Sequence, residues 1–417
     1  MEYKQRYLQH YLDRQPANFR ALLITGPRRS GKSTLSKMLL EKWGGSTYIP
    51  FDTPSEQNRF SADPEGFLRS LRLPVVLDEV QNVPQIFNYL KKIIDEKPSA
   101  GCDYILTGSQ QFQMMRHVSE SLAGRILIKE LLPFSCSEAR GVQADKIRNN
   151  FQSLLELKDI FSLPEGALSK DEITEVISYG GFPPIQVMSR ESERLDWFNS
   201  YVETYIQRDI RSLSNLHDLT QFSRFVSLVA GRTGQIINYS ELGKDIGVNY
   251  KTAQHYLSLL STSYLWKSIP PYFKAGSEKR LSKSPKGYFL DTGLTMFLTG
   301  LRLEGLEKNP LLGQLFESFV FSEFLKLSFA FGERVTPMHF RIGEKVEVDL
   351  VLEVGQRLVP IEIKFSGTLD RSWGRGIQVF KEVAGLPKES TGYVISTHPQ
   401  VMPIGNGVIN LPIQAFL

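Results

Sequence analysis

Hydrophobic and polar positions along this chain fall into three successive patterns. In the first third, short unbroken apolar runs at 21–25, 74–77 and 104–106 are separated by stretches with helical spacing. Such runs, bounded by turn residues, predict strands buried on both faces, as in a parallel sheet covered by helices. Helical spacing at 4–15 precedes the first of them. In the middle third the period turns helical over 191–230, where Trp197, Tyr201, Tyr205 and Ile206 recur at packing distance behind a turn at Gly180-Gly181-Phe182-Pro183-Pro184. Residues 141–170 are polar and mixed, which reads as a linker or a peripheral helix. The last third opens with a nearly continuous apolar helix over 311–327. Alternating strands at 347–352 and 358–365 follow, joined by a Gly355-Gln356 turn. The expectation is an α/β chain with a helical middle and a second α/β region at its end.

The first strand runs into Gly26-Pro27-Arg28-Arg29-Ser30-Gly31-Lys32-Ser33-Thr34, and helix-forming residues follow at 35–40. This is G-x-x-x-x-G-K-[ST] between a strand and a helix, the setting in which a P-loop cradles phosphate. The glycines let backbone N–H groups curl around the β-phosphate, and the helix N-terminus adds a favourable dipole. Lys32 is expected to meet the β- and γ-phosphates, and the Ser33 hydroxyl to ligate Mg²⁺. The second apolar strand ends in Asp78-Glu79, 46 residues beyond Lys32. Asp78 would hold the Mg²⁺ and Glu79 would polarise the attacking water. The third strand ends in Thr107-Gly108-Ser109-Gln110. Thr107 and Ser109 are either sensors of the γ-phosphate or an ordinary strand-ending turn. Arg125, at an element boundary, is either an arginine finger or a structural arginine.

Residues 237–290 carry a different pattern. Ser240 is placed to cap a short helix bearing Leu242 and Ile246, and Gly247 breaks it. Asn249 caps a second helix that buries Ala253, Tyr256, Leu257 and Leu260. Two short helices about a glycine turn follow helix-turn-helix logic, and the second would show Tyr250, Lys251, Gln254 and His255 outward. Strands at 269–273 and 287–290 then flank a loop that reads as a wing. Lys279, Arg280 and Lys283 lie in that loop and are the further candidates for DNA contact.

Composition changes this picture in one place. With 417 residues, 41% of them apolar and 23% charged, the chain is an ordinary folded protein rather than a disordered or fibrous one. Its 49 basic and 45 acidic residues leave a net charge of +4, which argues weakly against nucleic acid. Residues 267–286, however, hold six basic residues and one acid. The near-neutral balance is therefore one basic segment on a slightly acidic body, which favours a localised contact. Two cysteines without a CxxC pair suggest a reduced, cytoplasmic protein. The N-terminus lacks the apolar core of a signal peptide, and no apolar run reaches the roughly 18 residues a membrane helix needs.

The last third adds Glu317 inside the apolar helix, Asp349 on one strand, and Glu362 and Lys364 on one face of the next. Asp-…-Glu-x-Lys on a hairpin with an upstream helical Glu is the pattern of a restriction-endonuclease-like site. There the carboxylates hold Mg²⁺ and the lysine positions water. Together, residues 26–34, 75–81, 105–110, 121–125, 131–138, 180–183, 201–211, 289–294 and 361–365 resemble the prokaryotic AAA-type ATPases that carry a C-terminal domain of unknown function. The resemblance covers essentially the whole chain. It implies an AAA-type ATPase domain at 1–140, a linker and helical lid at 141–235, a winged helix at 236–295 and a restriction-endonuclease-like α/β domain at 305–417. The leading expectation is a DNA-associated, Mg-dependent ATPase that binds ATP, lies off the membrane and is a possible homo-oligomer. A nucleotide-gated switch for a protein partner, with an inactive nuclease-like platform, and an ATP-regulated metal-dependent nuclease are the alternatives.

Overall fold

Ala21–Thr25 (β1), Thr47–Pro50 (β2), Val75–Asp78 (β3), Tyr104–Gly108 (β4) and Ile126–Glu130 (β5) form a five-stranded parallel sheet in the order β2-β3-β4-β1-β5. The computed structural model describes residues 3–13, 19–96, 101–109, 122–159, 161–163, 166–209, 219–273 and 284–417. Lys279, Arg280 and Lys283 lie outside them. β1, β3 and β4 are buried along their whole length, as their unbroken apolar runs predicted. Helix Lys32–Lys42 packs Leu35, Leu39 and Leu40 with Leu22 and Ile24, while Leu77, Phe87 and Leu90 belong to a second apolar cluster. The chain divides into two compact units, and this sheet belongs to the first, 1–134 with two short later stretches.

The second unit contains a three-stranded antiparallel sheet and a larger mixed one. Gln235–Ile236 (β6), Trp266–Ile269 (β7) and Lys286–Phe289 (β8) lie in the order β6-β8-β7. Helices Leu219–Ala230, Tyr239–Ile246 and Tyr250–Thr262 accompany them, and Phe225, Leu242, Ala253, Leu257 and Phe289 share one core. The cap of the first short helix differs from expectation. Asn238 Oδ1 accepts from the N–H groups of Ser240 and Glu241, so Ser240 is capped rather than capping. Asn is among the strongest N-caps and stands in extended backbone here, which suits the role. Gly247 ends the helix at φ 77°, and Asn249 Oδ1 accepts from Thr252 N–H, both as the sequence predicted. The helical stretch after Glu191–Tyr201 continues as a π-helix over Val202–Asp209.

Thr336–Ile342 (β9), Val346–Val354 (β10), Arg357–Lys364 (β11), Gly392–Ser396 (β12), Met402–Gly405 (β13) and Val408–Pro412 (β14) build the mixed sheet, ordered β13-β14-β12-β11-β10-β9. β9, β10 and β11 are antiparallel neighbours; β11, β12 and β14 run parallel. Helix Arg375–Ala384 packs Ile377 and Phe380 with Val348, Val351 and Val394. The polar stretch near 150 is more ordered than a linker. Helix Ala144–Leu155 buries Ile147, Phe151, Leu154 and Leu155, and Asn150 Nδ2 donates to the carbonyls of Ala415 and Ser162 at 2.7 Å.

Candidate functional site

The first unit gathers its chemistry where parallel strands end, the position at which α/β sheets bind ligands. β1 leads into the glycine loop, β3 delivers Asp78 and Glu79, and β4 between them delivers Thr107. Gly26 is obligatory: at φ 147°, a Cβ there would lie 2.2 Å from the Leu131 carbonyl oxygen. Gly31, at φ 96°, turns the loop into the N-terminus of helix Lys32–Lys42. Arg28 and Arg29 are exposed, while Ser30 and Lys32 are buried. Lys32 Nζ donates back to the carbonyls of Gly26 (3.1 Å) and Pro27 (2.8 Å). Burial pushes its ammonium down to about 8, against the pull of Glu79 and Asp78.

Ser33 Oγ lies 3.1 and 2.9 Å from the two Asp78 oxygens, and Asp78 also accepts from Tyr48 Oη and Thr107 Oγ1. A hydroxyl beside a carboxylate at a P-loop is a donor pair suited to Mg²⁺. Glu79 sits in the left-handed region at φ 56°, ψ 46°, uncommon for a residue with a side chain. Its N–H donates to Thr107 Oγ1 at 3.2 Å, its carboxylate accepts from Gln81 Nε2, and Ser109 Oγ stands 3.5 Å away. Strained backbone of this kind concentrates at functional sites. Thr107 and Ser109 thus stand beside Asp78 and Glu79. Arg125 is elsewhere, paired through Nε and Nη2 with Asp95 at 2.5 and 3.0 Å. Tyr48 and Gln81 escaped the sequence reading, because nothing in their local pattern tells which carboxylate a tyrosine or glutamine will meet.

In the second unit the structure brings Glu317, Asp349, Glu362 and Lys364 together. Lys364 Nζ is 2.6 Å from Glu362 Oε1 and 3.8 Å from Asp349 Oδ2, which also accepts from the Ile363 N–H at 2.9 Å. The register between β9 and β10 shifts between Val348 and Val351, at Asp349 itself, and such irregularities re-aim side chains. Lys286, from β8, enters the same cluster. Its Nζ lies 2.6 Å from Glu317 Oε1, 2.7 Å from Glu347 Oε1 and 3.1 Å from Asp349 Oδ1. Tyr288, two residues on, donates to Glu317 Oε1 at 2.7 Å.

Burial lifts the Glu317 carboxyl to about 7, with Lys286 pulling the other way. Burial and the neighbouring Asp349 push Glu362 to about 8. Burial alone would raise Asp349, but Lys286 and Lys364 outweigh it and hold Asp349 below the usual carboxylate range. Burial likewise opposes the Lys286 charge, and the surrounding acids overcome it, so its ammonium is held far above the ordinary lysine value. The sequence reading counted Lys286 in the basic 267–286 segment that favours a localised contact; the structure corrects this, because the side chain is buried. Its alternation in β8 (Lys286 and Tyr288 on one face) was the available signal.

Tyr250, Lys251, Gln254 and His255 are exposed on helix Tyr250–Thr262, as the sequence placed them. No helix among the described residues is long and apolar enough to cross a membrane.

Fold and loop are those of a P-loop domain. Residues 18–140 match the family model described as AAA domain, and residues 170–305 and 312–416 match two domains of unknown function, DUF8612 and DUF4143. Residues 18–140 are thus similar to an AAA domain, followed by segments similar to domains of unknown function. It is 29% identical over 350 residues to the uncharacterized protein Rv2008c of Mycobacterium tuberculosis, covering 83% of this chain and 70% of that one. Uncharacterized protein MJ1544 of Methanocaldococcus jannaschii is 23% identical, covering 79% and 71%. Among solved structures, the Thermotoga maritima RuvB Holliday junction branch migration motor aligns at 19% identity and TM-score 0.30, covering 63% of this chain and 86% of that one.

Proposed function

We propose that this protein is a Mg-dependent ATPase that works in association with DNA. The observation that carries the ATPase reading is the convergence of Lys32, Ser33, Asp78 and Glu79 at the ends of β1 and β3. Lys32 rests on two loop carbonyls, weak partners that phosphate oxygens replace with gain. Ser33 and Asp78 would hold Mg²⁺, which when bound neutralises charge on the β- and γ-phosphates. Glu79, fixed by Thr107 and Gln81, is the group that orients and polarises water, and Ser109 is near enough to report on the same position. Arg125 serves as an arginine finger only after leaving Asp95, and a homo-oligomer would let it reach a neighbour's nucleotide.

DNA association is supported by Tyr250, Lys251, Gln254 and His255, exposed together on the helix behind the Gly247 turn. In this reading residues 236–295 act as a winged helix, 305–417 as a nuclease-like domain, and the protein is cytoplasmic. One observation favours the second reading, a nucleotide-gated switch with an inactive nuclease-like platform: the lysine lodged among the acids of the C-terminal domain. The deciding experiment is ATP turnover with and without duplex, single-stranded and branched DNA. Lys32→Ala is expected to abolish nucleotide binding. Glu79→Gln is expected to keep binding and lower turnover by on the order of 10²–10⁴. Turnover indifferent to Lys32→Ala overturns the ATPase reading; turnover indifferent to every DNA, with no salt-sensitive binding, overturns the DNA half.

A further inference from the structure

We infer that the acidic cluster of the C-terminal domain is not a divalent-metal site. Instead the Lys286 ammonium holds the place of the cation and locks strand β8 to strand β10 and the Leu312–Phe331 helix, leaving a nuclease-like platform that does not cut nucleic acid. This goes beyond the ATPase reading and does not depend on it.

An ammonium has three hydrogens to donate. Lys286 faces three carboxylate oxygens, those of Glu317, Glu347 and Asp349, at 2.6, 2.7 and 3.1 Å. Its donors are fully used. A divalent cation in this place needs about six oxygens, and two of the acids that would supply them, Glu317 and Asp349, are on Lys286. Two further oxygens are also engaged: Asp349 Oδ2 accepts from the Ile363 N–H, and Glu362 Oε1 meets Lys364. Glu362 Oε2 is the one fully buried cluster oxygen without a hydrogen-bond partner among the described residues, and one such oxygen does not make a metal site. Among the described residues no group of three or more His, Cys, Asp or Glu side chains is arranged to hold a metal ion. The donor set as folded does not fit the metal that its Asp-…-Glu-x-Lys pattern implies.

The lysine is not a passing visitor. It is the first residue of β8 and pairs with Ile236 of β6 on one side and Ile269 of β7 on the other, so backbone register delivers its side chain to the acids. Tyr288 adds a bond to Glu317 from the same strand face. Removing the ammonium would leave buried carboxylates uncompensated, which either unfolds the region or invites another cation.

The test is Mn²⁺ binding to the full chain, followed by electron paramagnetic resonance with and without a non-hydrolysable ATP analogue. Mn²⁺ bound only with the analogue reports on the P-loop, and Mn²⁺ bound without it reports on the acidic cluster. The wild-type chain is expected to show no micromolar site without the analogue and no nicking of supercoiled plasmid in Mn²⁺. Lys286→Met is expected to gain analogue-independent Mn²⁺ binding at least tenfold tighter than wild type, reversed by adding Glu362→Gln. A wild-type micromolar site lost in Glu362→Gln, or plasmid nicking lost in Lys364→Ala, overturns the inference. So does a folded Lys286→Met chain that gains no Mn²⁺. Should Lys286→Met not fold, the wild-type measurements decide alone. Loss of analogue-dependent binding alone would count against the ATPase reading and leave this one standing.

Discussion

Lys286 and His339 show how burial changes what a titratable side chain is for. His339 Nε2 faces the Ser284 carbonyl oxygen at 3.0 Å and so carries the hydrogen, while Nδ1 has no hydrogen-bond partner among the described residues. Burial, with Lys286 and Arg341 nearby and Asp349 opposing them, pushes its imidazole down to about 4. The unfolded chain binds that proton near pH 6.5. The folded-state value is the depressed one, so the contribution is complete above 6.5 and is lost as pH falls from 6.5 toward 4. It amounts to about 3 kcal/mol. Thermal melts of wild type and His339→Gln at pH 7 and pH 5 check this. The wild type should lose more stability than the variant across that interval. An equal loss in both would show that His339 does not hold its proton off. Glu79 is the counterpart at the other site: its left-handed backbone is held by Thr107, a residue 28 positions away on another strand.

At the scale of elements, the turn at 180–183 and the segment 289–294, two of the segments that carry the family resemblance, hold each other. Asp291, at the start of helix Thr292–Thr299, accepts from the Leu294 N–H at 2.9 Å and from the Gly181 N–H at 2.8 Å. A Cβ on Gly180 would fall 2.3 Å from its carboxylate, and one on Gly293 would fall 2.2 Å from the Tyr179 carbonyl oxygen. The Gly180-Gly181 turn and the Asp291 cap are thus one architectural joint. Asp291→Ala leaves two backbone donors unsatisfied and is expected to cost about 2–4 kcal/mol in urea unfolding, with nucleotide binding retained. Asn238→Ala removes an N-cap and should cost about 1 kcal/mol in the same measurement. An Asp291→Ala chain as stable as wild type would show that the joint is dispensable. Helix Leu312–Phe331 tells a related story: Glu323, buried within it, accepts from the Cys136 N–H and pairs with Lys326, each at 2.8 Å. The second acid in that helix is structural.

For the whole molecule the informative quantity is where charge sits rather than its sum. The net charge of +4 includes Lys286, which is spent on carboxylates and offers nothing to a polyanion. Five basic residues against one acid remain in 267–286. DNA binding, measured by fluorescence anisotropy between 50 and 200 mM salt, is expected to weaken steeply. Lys251→Ala should weaken it about uniformly across sequences and shallow the salt slope by about one charge. An unchanged slope would remove that helix from the interface.

The parallel sheet, the phosphate loop, the Asp78-Glu79 pair and the glycine-turned helices were legible because each is encoded within a few neighbouring residues. Apolar runs, capping residues and glycines at left-handed positions carry local physics. The Glu362 and Lys364 pair was legible for the same reason, since strand alternation puts both on one face, and the hairpin sets Asp349 on the neighbouring strand. What the sequence could not determine is which distant residues share a buried space. Tyr48 on Asp78, Thr107 beneath Glu79, Asp95 on Arg125 and Lys286 among the C-terminal acids all depend on strand order and register across long stretches of chain. In a buried site the partner decides the role, because an ammonium and a divalent cation compete for the same oxygens. The sequence wrote the carboxylates; only the tertiary structure decided what sits between them.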